Sequence, residues 1–388
     1  MRFPLSVLPV LALTTPLLAG CMQNGDATAE ANDDARTIDV TSSADACDLS
    51  ADQAPAGTLH FEVTNTGGDV TEFYLLGDDD RVVGEVENIG PDLTRELVVK
   101  ATPGTYVAAC KPGMTGDGIR SDFTVTDSGE SGSSSNADDR LVRAAEKRYQ
   151  AYVQQQSDQL LARTAQFVRH YERGEDAAAR ALYPVARTHW ERIETVAESF
   201  GDLDPKMDAR EADLAPGQHW TGWHRIEKDL WPARAKSYEP LTPEQRKVYG
   251  EDLLDNTRIL DHRIGRLHFT VDQIANGSRG LMEEVATGKV TGEEEYWSRT
   301  DLWDFQANVD GARVGWEGVR SIVRQKDPAL AEQLDARFAA LQHLLDEHRS
   351  GNGFVSYDDL PAAQVKALAD AVNALAEPLS RLTAVVLS

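Results

Sequence analysis

The feature that most constrains this 388-residue chain is a change of hydrophobic period part-way along it. Between residues 58 and 126 apolar and polar side chains alternate in short runs, at 58–63, 71–76, 95–99, 104–109 and 121–126, separated by segments holding glycine, asparagine or aspartate. A period of two puts one face of a strand in a core and the other in water, so these runs predict an antiparallel β-sandwich. Past residue 138 the period lengthens, and Leu141, Ala144, Tyr149, Tyr152, Val153, Leu160 and Leu161 recur at helical spacing. This predicts an all-α bundle with helices over about 138–173, 176–200, 217–229, 243–287, 300–325, 328–350 and 361–387. A Ser/Gly-rich stretch at 127–139 separates the two patterns, so the chain reads as two folded domains, 37–126 and 140–388, on either side of a linker.

Ahead of both, Met1 and Arg2 precede an apolar run that ends in Leu18, Ala19, Gly20 and Cys21. A charged start, a short apolar stretch and small residues before one cysteine form a lipoprotein signal over 1–21, with Cys21 as the lipidated residue. The uncharged run is only about 19 residues and contains Pro4, Pro9 and Pro16, which argues against a spanning helix. Residues 22–36 are small and polar and read as a tether, so the lipid alone would hold the protein to a membrane, in the periplasm or at the cell surface. A formal net charge of −25 argues against nucleic acid or an anionic membrane surface as partner. The same charge suits cation binding and a salt-adapted surface equally, and locates no site.

Two pairs of side chains do point to a place. Glu191 and Glu194 stand three apart, a spacing that shares a helix face, and His224 and Glu227 repeat it. Imidazole and carboxylate at this spacing on facing helices is how bundles build metal sites. Either pair alone would also suit a solvated helix face, and Arg192 and Arg225 are at hand as ion-pair partners. Trp190, Trp220, Trp223 and Trp231 surround the pairs, as packing or as a rim that excludes water.

Residues 222–231, which run Gly-Trp-His-Arg-Ile-Glu-Lys-Asp-Leu-Trp, resemble the G-x-H-x-x-E signature of imelysin-like proteins. The segments 191–194, 199–204 and 300–308 resemble more narrowly the EfeO family, the extracytoplasmic components of EfeUOB iron-uptake systems, and the likeness runs from about residue 38 to the C-terminus. The resemblance implies that Glu191, Glu194 and Asp208 are metal ligands, that His224 and Glu227 lie in or beside the same site, and that Glu284, in preference to Glu294, adds a carboxylate. Arg299 departs from the family, which would have histidine there. Several oxygens with one nitrogen suit ferrous or ferric iron, with zinc or copper as competitors.

The same resemblance implies a cupredoxin-like N-terminal sandwich, carried by Cys47 and by the segments 71–73, 85–89 and 110–114. A second metal site there would draw on Cys47, Glu72, Glu85, Glu87, Cys110 and Met114. A blue-copper centre needs two histidines, and His60 is the only one in this region. Cys47 and Cys110 are either a disulfide or thiolate ligands: free thiolates favour copper, a bridge leaves carboxylates and favours iron. The implied function is a transport component, with ferrous oxidation as an auxiliary activity, that captures iron and delivers it to a membrane permease, with a haem peroxidase as a further partner. Two alternatives compete. A metallopeptidase of the H-E-x-x-H kind would need histidine where Lys228 stands. Cation-assisted binding of an acidic polysaccharide would suit the tryptophans but has to overcome the charge.

Overall fold

The computed structural model describes residues 35–114, 116–129, 138–214 and 217–388; the predicted signal with Cys21, nearly all of the tether, and linker residues 130–137 lie outside that range. The first part holds strands β1 (Thr37–Ser42), β2 (Cys47–Leu49), β3 (Gln53–Pro55), β4 (Gly57–Asn65), β5 (Thr71–Leu76), β6 (Val82–Ile89), β7 (Thr94–Ala101), β8 (Gly104–Cys110) and β9 (Ile119–Thr126). They form two sheets, ordered β2-β1-β4-β7 and β3-β9-β8-β5-β6. Alternation sets the inner faces: Ile38 and Val40 from β1 and Leu59, Phe61 and Val63 from β4 are buried, while Thr37, Asp39 and Glu62 are exposed. Phe61 packs across the sandwich on Phe73 and Phe123, with ring centroids 5.3 and 5.4 Å apart.

One expectation changes here and one open alternative is resolved. The sandwich is mixed rather than wholly antiparallel, because β1 lies parallel to β4 and β3 parallel to β9. These N-terminal strands join each sheet beside a later strand, and no turn-linked pairing of neighbouring runs would have placed them. The cysteines are bridged, Cys47 of β2 to Cys110 of β8, so the disulfide ties the two sheets together and neither residue offers a thiolate to a metal.

The second part is helical: α1 (Asp138–Glu172), α2 (Asp176–Glu191), α3 (Leu203–Asp208), α4 (Trp223–Leu230), α5 (Pro243–Ile264), α6 (Val271–Thr287), α7 (Asp301–Lys326), α8 (Pro328–Asp346), α9 (Ala362–Leu379) and α10 (Leu382–Leu387). The stretch predicted as one helix over 243–287 breaks at 265–270, where the Gln273 side chain accepts from the Thr270 N–H and starts α6 afresh. Phe269 is buried inside the break, which is why the apolar pattern ran through it. Likewise α2 stops at Glu191, with a 3-10 segment over Glu194–Phe200, and α4 begins at Trp223 rather than 217. Among the described residues no helix is long and apolar enough to cross a membrane.

The two parts meet where β7 lies on α6. Asn276 Nδ2 donates to Val98 O at 2.8 Å, Arg279 Nη1 to Glu96 O at 2.7 Å, the Lys100 N–H to Asp272 Oδ2 at 3.1 Å, and Arg95 pairs with Glu283 at 2.7 Å. Beside this contact lies a cleft of about 990 Å³ walled by both parts.

Candidate metal centre

Three short structural facts assemble the centre. First, α2 ends at Glu191, and the following turn is pressed so closely on α6 that a Cβ on Gly277 would lie 1.8 Å from the Thr195 carbonyl oxygen; only glycine leaves room. Second, α3 delivers Asp208 at its C-terminal end. Third, Gly222 precedes α4 with φ of 87°, and a Cβ there would stand 2.2 Å from Met207 O. That close approach brings His224 and Glu227 against Asp208.

The resulting cluster is almost fully buried. Arg187 of α2, with no exposed side-chain surface, forms ion pairs with Glu191 and Asp208, reaches Glu294 at 3.3 Å and Glu295 at 2.6 Å, and stands 3.7 Å from Asp304. Lys289, equally buried, stands 2.9 Å from Glu191 and 2.5 Å from Glu194. Asn308 of α7 donates to the same two carboxylates, at 3.0 and 2.7 Å. Trp190 Nε1 donates to Asp208 Oδ2 at 2.6 Å, so one of the predicted tryptophans does hold a polar site. Seven carboxyls, those of Glu191, Glu194, Asp208, Glu227, Glu294, Glu295 and Asp304, thus gather around three basic side chains, Arg187, Lys289 and His224.

Burial removes these groups from the dielectric screen of bulk water, so the excess negative charge is costly. Burial followed by the charge of Glu191 raises Glu194 well above the usual carboxylate range, and burial followed by the charge of Glu227 does the same to Glu295. Burial opposes ionisation of Lys289 and Arg187 too, but the surrounding carboxylates outweigh it and keep both charged. Burial and Arg187 oppose a charge on His224, yet the hydrogen bond to Glu227 and the nearby carboxylates of Glu294 and Asp208 prevail, pushing it up to about 10. A centre that holds protons it would give up to a cation is suited to exchange them for a metal ion.

The histidine geometry is specific. Nδ1 of His224 faces Glu227 Oε2 at 3.1 Å, and the other Glu227 oxygen accepts the Trp297 and Ser298 N–H groups at 2.8 and 2.6 Å. Glu227 is fully engaged and orients the imidazole. Nε2 of His224 is buried, makes no hydrogen bond, and lies 3.4 Å from Glu294 Oε1 and 3.5 Å from Asp208 Oδ1. Ligand atoms that share one metal at about 2.1 Å stand roughly 3 Å apart, so these three atoms need only small shifts to hold an ion. A carboxylate behind the imidazole is the usual support of a metal-bound histidine. Glu191, Glu194 and Asp208 form a second triplet, with Asp208 common to both.

The sequence-predicted residues Glu191, Glu194, Asp208, His224 and Glu227 all come together here. Glu284 does not join them: it is half-exposed in the cleft, 3.8 Å from Lys289, and Glu294 stands at His224 instead. Arg192 and Arg225, the expected ion-pair partners, point elsewhere, to Asp310 and Tyr238. Lys228 pairs with Glu211 and lies over Trp220 and Trp297, so α4 lacks a second zinc-type histidine. Arg299 holds Asp358 and the Gly292 carbonyl at 2.8 and 2.6 Å. Arg187, Lys289, Glu295, Asp304 and Asn308 also belong to the cluster, and no motif in the sequence singles them out. Arg187 at four residues before Glu191, and Asp304 four before Asn308, were the only local signals.

Of the donors predicted for a second site, the two cysteines are bridged and Glu72 is taken by Tyr74, whose hydroxyl donates at 2.7 Å, with Lys111 at 4.0 Å. Glu85, Glu87 and Met114 line the cleft. Burial followed by the charge of Glu198 raises Glu85 well above its usual range.

Residues 145–382 match the family model described as Imelysin (Peptidase_M75). The chain is 34% identical over 356 residues to "Iron uptake system component EfeO" of Yersinia pestis, covering 91% of this chain and 92% of that one. It is 35% identical over 352 residues to the protein of the same name from Yersinia pseudotuberculosis, covering 90% and 91%. An "Efem/EfeO family lipoprotein" of Staphylococcus aureus is 40% identical over 248 residues, 63% of this chain and 85% of the relative.

Proposed function

The chain belongs to the imelysin family and, within it, to the EfeO/EfeM iron-uptake group, and from that premise we propose that its helical part captures an iron ion for delivery to a membrane permease. Asp208, His224 and Glu294 are the core ligands, Glu191 and Glu194 complete the set, and Glu227 fixes the imidazole. The observation that carries this reading is the unpartnered, buried Nε2 of His224, aimed between two carboxylate oxygens. A hard donor set of several oxygens and one nitrogen favours iron; zinc and copper compete for it.

In this reading Cys21 carries the lipid. A tether of some fifteen residues has a root-mean-square reach of about 20 Å, enough to keep the centre beside a permease. The β-sandwich is cupredoxin-like in outline only, and with its cysteines bridged its contribution falls to Glu85 and Glu87 at the cleft, where iron rather than copper is the fitting guest. A haem peroxidase is a further expected partner. Calorimetric titration of the wild type and of His224→Ala with ferrous ion under argon tests the assignment. We expect the variant to bind at least tenfold more weakly, and equal affinities would remove His224 from the site.

A further inference from the structure

Of the three basic side chains in the centre, Lys289 alone also borders the cleft. Its ammonium has carboxylate oxygens on several sides: Glu191 at 2.9 Å, Glu194 at 2.5 Å, Glu284 at 3.8 Å and Glu294 at 3.9 Å. An ammonium held in this way fills the space in which an ion bound by Glu191 and Glu194 would sit. We propose that Lys289 is a built-in stand-in cation, which an incoming metal ion must displace from Glu191 and Glu194 into the cleft, and which thereby sets the charge an ion needs to enter. The proposal rests on the reading that Glu191 and Glu194 bind the metal.

The fold permits the exchange. Lys289 stands on a single 3-10 turn, Lys289–Thr291, between Gly288 and Gly292, and its four-carbon stem can swing without moving a helix. The cleft is wide enough to take the released ammonium, and Glu284 is half-exposed there to receive it. Arg187 cannot leave in the same way, since five carboxylates surround it and no part of its side chain reaches solvent. The centre therefore has one fixed counter-charge and one exchangeable one. Attraction to the carboxylates grows with the charge of the guest, so a monovalent ion only matches the ammonium while divalent and trivalent ions exceed it. Selection against sodium and potassium follows without any size filter, and Glu284 acts by receiving the lysine rather than by binding the metal.

The test is reductive methylation of the full-length protein with and without saturating ferrous ion under argon, read by peptide mass spectrometry, with cleft-lining Lys111 as internal reference. Lys289 is expected to be protected in the metal-free protein and to react at least tenfold faster in the loaded one. Protection that persists at full iron occupancy overturns the proposal. Lys289→Met is expected to bind ferrous ion about tenfold more tightly than wild type, a gain of about 1.4 kcal/mol, while Lys289→Arg, which keeps the charge, does not. An unchanged affinity in Lys289→Met overturns it as well, and if that variant fails to fold, the labelling of wild type still decides. Iron binding that ignores Glu191→Ala with Glu194→Ala defeats the underlying site assignment, and the role of Lys289 with it, and is a different result from a loaded site with Lys289 protected.

Discussion

Gly222 offers a way to damage the centre without touching a ligand. Its φ of 87° and ψ of −164° lie in a region open essentially to glycine, at a cost of about 1–3 kcal/mol for any other residue. A Cβ would also meet Met207 O at 2.2 Å, Met207 C at 2.5 Å and Lys206 O at 2.8 Å, all backbone atoms that cannot rotate aside. Relieving an overlap of about 1 Å against a fixed chain adds roughly 1–3 kcal/mol. Gly222→Ala should therefore destabilise the metal-free protein by roughly 2–6 kcal/mol, a large share of the 5–15 kcal/mol typical of a folded domain. Because Met207 adjoins Asp208 and Gly222 lies two residues before His224, the same shift parts Nε2 from Asp208 Oδ1, now 3.5 Å apart. Loss of a supporting contact of this sort costs about 10- to 100-fold in metal affinity. Urea unfolding and ferrous titration of the variant provide the readouts. Gly280→Ala in α6 is the control, since a Cβ there meets nothing within 4 Å. If Gly222→Ala matched Gly280→Ala in both stability and affinity, the argument from close approach would be wrong.

Further outcomes follow from the same contacts. Replacing Cys47 and Cys110 together by serine opens a loop spanning 63 residues and should destabilise the β-sandwich by about 4 kcal/mol, seen as a lower midpoint in thermal unfolding under non-reducing conditions. Glu198 is raised to about 7, first by burial, so it is protonated in the folded chain where the unfolded chain is ionised. That difference favours folding at low pH and is lost as pH climbs from about 4.5 through 7. Metal-free protein should thus lose thermal stability over that window, and Glu198→Gln should flatten the loss; an identical slope in the variant would exclude Glu198 as its source. Glu227→Gln keeps the size of the side chain but weakens the acceptor at His224 Nδ1, and should cost about 10- to 100-fold in iron affinity with little change in unfolding midpoint.

What could be read in advance was whatever is local along the chain. The pairs at 191/194 and 224/227 are visible because three-residue spacing puts side chains on one face before any tertiary structure exists. Even so, Glu191 and Glu194 do not share a helix: α2 ends between them, and the turn pinned by Gly277 aims both carboxylates at Lys289. Lys289, Glu294 and Glu295 belong to an irregular stretch between α6 and α7 with no periodicity to mark it, so only the folded chain brings them to residues a hundred positions away. For that reason spacing alone could not distinguish Glu284, which faces Lys289 from the cleft, from Glu294, which stands at His224. In the β part, β1 alternates as cleanly as the runs that were recognised, but it adjoins the polar tether, and its parallel pairing with β4 depends on chain path rather than on composition. The cysteine pair needed the fold as well, since two positions 63 residues apart say nothing of their distance.

The central claim is most directly tested by the anomalous difference density of crystals loaded with ferrous ion under argon and measured at the iron edge. A peak is expected within about 2.3 Å of His224 Nε2 and of oxygens from Asp208 and Glu294. Iron found only in the cleft near Glu85 and Glu87, with His224 Nε2 still unliganded, would contradict it.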